Sequence, residues 1–158
     1  MATIQEATAE FLSHKRVAVT GVSRKPKNHG SNTVYKRLRE RGFDVFAVNP
    51  NAERAEGDPA YPDLRSIPGG VGAVVIGTRP EHADETMRQC VELGIKHVWM
   101  HRGPGPGSVS ATATTYGRDH GVTVIDGGCP CMFGPTADFA HKAMRAIFTL
   151  TGNVPNEV

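Results

Sequence analysis

The stretch Arg16-Val17-Ala18-Val19-Thr20-Gly21-Val22-Ser23 decides the fold. A short run rich in β-branched residues reads as a strand buried on both faces, and Gly21 marks a tight exit from it. The chain then passes through Arg24-Lys25-Pro26-Lys27-Asn28-His29, which holds no acid, to Gly30. From Asn32 to Arg41 the period changes: Val34, Tyr35 and Leu38 share one helical face, and Gly42 supplies the stop. A strand, a glycine turn and a helix in that order open a βαβ unit.

The alternation continues along the chain. Further strands are expected at Asp44 to Asn49, stopped by Pro50, and at Ala73 to Gly77, His97 to Met100 and Val122 to Asp126. Helical periodicity fills Glu81 to Leu93, with Ala83, Met87, Cys90 and Val91 on one face, then Ser110 to His120 and Thr136 to Thr151. Ahead of the first strand, Thr3 to Ser13 reads as a helix opened by a capping box between Thr3 and Glu6. The segment Asn51 to Gly72 breaks the pattern with Pro59, Pro62 and Pro68, and only Asp63 to Ile67 is expected to coil. The expectation is an α/β, Rossmann-like three-layer fold, with a five-stranded, mainly parallel sheet and helices on both faces. Residues 1–158 are expected to form one domain, with its N-terminal helix at about 3–13 and its C-terminal helix at about 136–151.

Composition narrows the function classes. With 158 residues, 39% of them apolar, the chain is long enough to bury a core without disulfides or metals. Its 18 glycines and 11 prolines have no fixed period and are interrupted by apolar runs, which excludes collagen and argues against disorder. Eighteen basic against 16 acidic residues leave a net charge of +2, too balanced for a nucleic-acid partner. No apolar run approaches the ~20 residues of a membrane span. The N-terminus lacks a signal core, and three cysteines form no disulfide framework, so the expected location is cytoplasmic.

In an open parallel sheet, ligands bind beyond the carboxyl ends of the strands. Those ends are Gly21-Val22-Ser23, Asn49-Pro50-Asn51, Gly77-Thr78-Arg79-Pro80, His101-Arg102-Gly103 and Asp126-Gly127-Gly128-Cys129. Gly30 lets the next helix start close to a ligand, with the N–H groups of Ser31 to Val34 facing an anion. Two marks of an NAD site are missing: there is no G-x-G-x-x-G, and Asn49 stands where a ribose-binding acid is expected. A more phosphorylated nucleotide fits Arg24, Lys25 and Lys27 better; the alternative is a solvated basic loop.

Taken in order, Gly21-Val22-Ser23 with its basic loop, Asn49-Pro50, Thr78-Arg79-Pro80, Trp99-Met100 and Cys129-Pro130 resemble the small stand-alone CoA-binding proteins. These are Rossmann-like domains similar to the CoA-binding domain of succinyl-CoA synthetase and of ADP-forming acyl-CoA synthetases. The resemblance covers roughly Ser13 to Met132. It implies coenzyme A as the ligand, with Gly21, Val22, Ser23, Lys25, Lys27 and Gly30 at its phosphates. By the same resemblance Asn49 and Pro50 line the adenosine end, and Thr78, Arg79 and Pro80 border the pyrophosphate and pantetheine. Arg79 suits a phosphate because its guanidinium is a fixed fork of donors. The chain departs from the family's pattern at Asn51, where a lysine is usual, and in the Gly/Pro-rich stretch Arg102 to Gly107, read first as a surface loop, with a rigid lip over the pantetheine arm as the alternative.

Of seven histidines, His101 alone joins the ligand set; His14, His29, His82, His97 and His120 are expected at solvated element edges. Cys129-Pro130-Cys131 is read first as a buried turn, so no metal ligand is assigned. A metal held with His141, a reactive thiol and a mixed disulfide with CoA are the alternatives. No Ser–His–Asp order and no paired carboxylates stand at the site, so no catalytic residue is assigned. The preferred reading is binding of CoA or an acyl-CoA at the sheet edge, without catalysis. An NAD(P)-dependent oxidoreductase and a regulatory module that has lost tight nucleotide binding are the other two.

Overall fold

The computed structural model describes residues 2–25, 30–103, 107–134, 139–152, 154–155 and 158. Helix α1 (Ile4–Ser13) opens on the expected capping box: the Glu6 N–H donates to Thr3 Oγ1 (3.2 Å), and the Thr3 N–H donates to Glu6 Oε2 (2.8 Å). There follow β1 (Arg16–Thr20), α2 (Gly30–Glu40), β2 (Asp44–Val48), β3 (Arg54–Ala55), β4 (Asp58–Tyr61), β5 (Ala73–Ile76) and α3 (Pro80–Glu92). The chain continues through β6 (His97–Met100), α4 (Ala111–Asp119), β7 (Thr123–Asp126), a 3₁₀ turn (Pro130–Met132) and α5 (Phe139–Leu150). The proposed start of the last helix, 136–138, lies outside the described residues.

The sheet order is β3-β4-β2-β1-β5-β6-β7, and every pairing is parallel except β3 with β4. Alternate strand residues enter opposite cores, which explains why the strands read as continuous apolar runs. Val17, Val19, Val75, Trp99 and Ile125 pack with α1, α2 and the 3₁₀ turn; Ala18, Val74, Ile76, Met100 and Val124 pack with α3 and α4. Trp99 anchors the first layer. It is fully buried, its indole N–H donates to Gly127 O (2.8 Å), and its ring meets those of Phe11 and Phe133, each at 5.4 Å.

The sheet has seven strands rather than the expected five. The two extra strands form a hairpin within Asn51 to Gly72 and extend the sheet beyond β2. Asp63 to Ile67, expected to coil, makes a turn in which the Ser66 N–H and hydroxyl both donate to Asp63 Oδ1 (2.9 and 2.8 Å). Arg-Ala and Asp-Pro-Ala-Tyr show no apolar alternation, and Pro59 reads as a strand breaker; β4 nevertheless lies between β3 and β2, and the neighbouring Ala60 N–H supplies the bond to Glu53 O (2.9 Å).

The hairpin is tied to α2 through Asp58, whose Oδ2 accepts from the buried Tyr35 hydroxyl and from the Arg39 guanidinium, both at 2.7 Å. The Tyr35 bond, followed by that from Arg39, holds the Asp58 carboxyl below its usual range against the opposing effect of burial. The native state therefore binds this proton more weakly than the unfolded chain, so the stabilisation is present at neutral pH and fades as pH falls through the depressed value. Asp58→Asn is expected to lose on the order of 1 kcal/mol at neutral pH. The gap from the parent should close below about pH 4; urea unfolding at both pH values checks this.

Candidate ligand site at the sheet edge

At the carboxyl edge of the sheet, β1 and β5 meet through two glycines. The Gly21 N–H donates to Val48 O (3.1 Å) and the Gly77 N–H to Thr20 Oγ1 (3.0 Å), while Ser31 Oγ donates to Gly77 O (2.9 Å). Gly21 has φ +78°, and a Cβ there would lie 2.6 Å from Gly77 O. A Cβ on Gly77 would lie 2.7 Å from Thr20 O. Neither position admits a side chain without moving backbone. This is where the chain, having built the sheet outward through β2, crosses back to the other side of β1, so the strand order reverses here.

Beside these glycines lies a cavity of about 340 Å³, walled by Gly21, Asn49, Pro50 and Thr78 from the strand ends and by His82 and Gln89 from α3. Thr78 Oγ1 is buried and meets no hydrogen-bond partner among the described residues, so a ligand atom at the wall would satisfy it. The side chain of Asn49 shapes the rim: Nδ2 donates to Val22 O (2.9 Å), and Oδ1 accepts from the Asn51 N–H (2.8 Å). A shallower groove shares Pro50, Asn51 and Pro62 with the cavity and carries the arginines Arg24 and Arg54. Together they make one track: beside α3 its wall also carries Asp63 and Glu85, and beyond Asn51 the more open groove carries Arg24 and Arg54 with Glu53 between them in sequence.

The remaining candidates fall into separate groups. Val22 is fully buried in the core. Ser23 is held by Asn32: its N–H donates to Asn32 Oδ1 (2.8 Å), and its carbonyl accepts from Asn32 Nδ2 (2.9 Å), which also donates to Glu56 Oε1 (2.8 Å). Lys25 is exposed, its N–H donating to Ser23 Oγ (3.0 Å), and Lys27 lies outside the described residues. Arg79 is exposed at the N-cap of α3 and Pro80 starts its first turn; neither lines the cavity.

Gly30 and His101 belong to the opposite face of the sheet. They share a second cavity of about 150 Å³ with Cys129 and His141. A Cβ on Gly30 would lie 3.1 Å from His101 Cε1, so the glycine lets this imidazole sit against the start of α2. Burial, and then the neighbouring His141, push the His101 imidazole down to about 4. The set read from the sequence thus divides between two faces, because a residue leaving a strand end can turn toward either layer. His97 also departs from its expected solvated edge: its ring lies 4.6 Å from that of His14, and its Nδ1 is buried without a partner among the described residues.

All three cysteines are buried, and none forms a disulfide. Burial pushes the Cys90 thiol up to about 12. For Cys129 the bond with Cys131, and then burial, push the thiol well above its usual range, which argues against a nucleophile at neutral pH. The Arg41 guanidinium donates to Cys131 O (2.8 Å) and Phe133 O (3.1 Å) and fixes the turn that carries both.

A Rossmann-like α/β domain with a cavity at its topological switch point is the class that fold and site define. The chain belongs to the CoA binding domain family, whose pattern matches residues 15–135. It is 35% identical over 89 residues to the alpha subunit of acetate–CoA ligase [ADP-forming] II from Pyrococcus furiosus, covering 56% of this chain but only 19% of that one. It is 29% identical over 111 residues to the uncharacterized protein YneT of Bacillus subtilis, covering 70% and 78% of the two chains. Among solved structures, a hypothetical protein from Pyrococcus horikoshii OT3 superposes with a TM-score of 0.73 at 28% identity, over 82% of this chain and 92% of that one. No helix among the described residues is long and apolar enough to cross a membrane.

The glycine contact is open to a direct test. Gly21→Ala should cost on the order of 2 kcal/mol or more, since it combines a left-handed backbone with a backbone overlap. Gly42→Ala, at φ +88° with nothing within 4 Å of the new Cβ, should cost only about 1 kcal/mol. Urea midpoints of the two variants separate overlap from backbone conformation.

Proposed function

We propose that this chain binds coenzyme A, or an acyl-CoA, along the track at the β1, β2 and β5 strand ends, without catalysis of its own. The observation that carries this reading is the coincidence of family and cavity: every wall of the cavity beside α3 lies within the matched residues 15–135. Thr78 Oγ1 and the backbone at Gly21 face the phosphates or the start of the pantetheine arm. Pro50 and Asn49 border the adenosine, and Arg24 with Lys25 neutralises the 3′-phosphate that distinguishes CoA from NAD.

The oxidoreductase reading has less support. Asn49 stands at the end of β2, and its amide is committed to Val22 and Asn51 rather than left for a ribose. Fold alone does not supply a hydride-transfer chemistry.

Isothermal titration should show CoA binding more tightly than NAD. Removing the 3′-phosphate should weaken binding about 10-fold, the scale of one charge-assisted hydrogen bond. Thr78→Val should also weaken CoA while leaving the thermal midpoint close to the parent's. The proposal fails if CoA binds no better than NAD, and the role of the basic loop fails if dephospho-CoA binds as well as CoA.

A further inference from the structure

On the face opposite the proposed CoA track, Cys129, Cys131 and His141 bring their ligand atoms within 4.8 Å of one another. The sulfurs come from the loop after β7 and the 3₁₀ turn, and the imidazole from the first turn of α5. We propose that these three side chains bind one zinc-class divalent cation, with a fourth coordination position open to the neighbouring cavity.

The donor set selects the ion. Two thiolates and an imidazole suit zinc or cobalt and disfavour magnesium and calcium, which require oxygen ligands. A tetrahedral zinc with bonds of about 2.0–2.3 Å separates its ligand atoms by roughly 3.5–3.8 Å, so the cluster has only to tighten by side-chain rotation. The unusual C-x-C spacing is accommodated because Pro130 starts a 3₁₀ turn that carries Cys131 round to the side of Cys129. That turn is built rather than loose, since Arg41 reaches across from the end of α2 to its carbonyls.

Charge and protons balance. Binding releases one proton from each thiol to solvent, and the two thiolates neutralise the dication, while His141 coordinates as the neutral imidazole. Three protein ligands with a vacant fourth position is the pattern of zinc sites that admit an exogenous donor. Cys129 and His141 both line the cavity of about 150 Å³, and His101 stands on the same wall. The donor admitted there is water or another small ligand, and His101 is placed to hydrogen-bond to it.

The test uses the whole chain, reduced and stripped of metal, titrated with cobalt(II) and followed by visible absorption and by competition with zinc. The expected result is one equivalent of cobalt with tetrahedral d–d bands and a thiolate-to-cobalt charge-transfer band, displaced by zinc. Cys129→Ser and Cys131→Ser should each weaken the charge-transfer band. His141→Ala should loosen cobalt by about 10-fold or more, whereas His120→Ala, at the far end of α4, should not. If the serine variants fail to fold, His141→Ala decides alone, because that side chain is only half-buried; circular dichroism confirms its fold. The proposal is overturned if the parent shows no thiolate-to-cobalt band, or if His141→Ala binds cobalt as tightly as the parent. Neither result depends on whether CoA binds.

Discussion

Backbone meets backbone where β1 and β5 end, and the shape of the sheet's carboxyl edge depends on that contact. With no side chain at Gly21 or Gly77, the Thr20 hydroxyl reaches the Gly77 N–H and the Ser31 hydroxyl reaches the Gly77 carbonyl. One pair of small residues thus joins two strands and the first turn of α2. It also leaves space beside Thr78, where the order of strands reverses and a parallel sheet offers its ligand-binding crevice.

Two environments diverge from this junction. Toward α3 the cavity is lined by Asn49, Pro50 and Thr78 and adjoins a groove that carries Arg24, Glu53 and Arg54. On the α2 side a smaller space brings together Gly30, His101, Cys129 and His141. Asn32 belongs to the framework of both, since it begins in the first turn of α2 and bonds the backbone of Ser23 and the carboxylate of Glu56. The β3–β4 hairpin is therefore more than an added edge: through Glu56 and Asp58 it fastens the β1–α2 turn and the α2 helix in place.

The legible parts of the fold are those written in local pattern. β1, β2, β5, β6 and β7 are short apolar runs, and α1 announces itself through Thr3 and Glu6. The hairpin was not legible because Arg54, Asp58 and Pro59 carry no strand alternation; its stability comes from partners distant in sequence, Tyr35 and Arg39. Among site residues, Gly21, Asn49, Pro50 and Thr78 were readable as strand ends, and the structure places them around one cavity. Asn32 and Arg54 carry no such mark in the sequence, because their positions at this edge arise from contacts across the fold. His101 lies with Gly30, Cys129 and His141 and not at that cavity, because a position at a strand end says nothing about which layer the side chain enters. The convergence of Cys129 and Cys131 with His141 is not legible from C-x-C spacing, since only the 3₁₀ turn makes that spacing compatible with it.

The central claim is one of place: CoA lies along the carboxyl edge between β2, β1 and β5. Backbone amide chemical shifts of the isotopically labelled protein, followed during titration with CoA, test it most directly. The account predicts that the largest changes gather at Gly21, Ser23, Asn51 and Thr78, with the opposite edge at Lys15, Gly72 and Lys96 unmoved. Largest changes at that opposite edge, or none anywhere at saturating CoA, would contradict it.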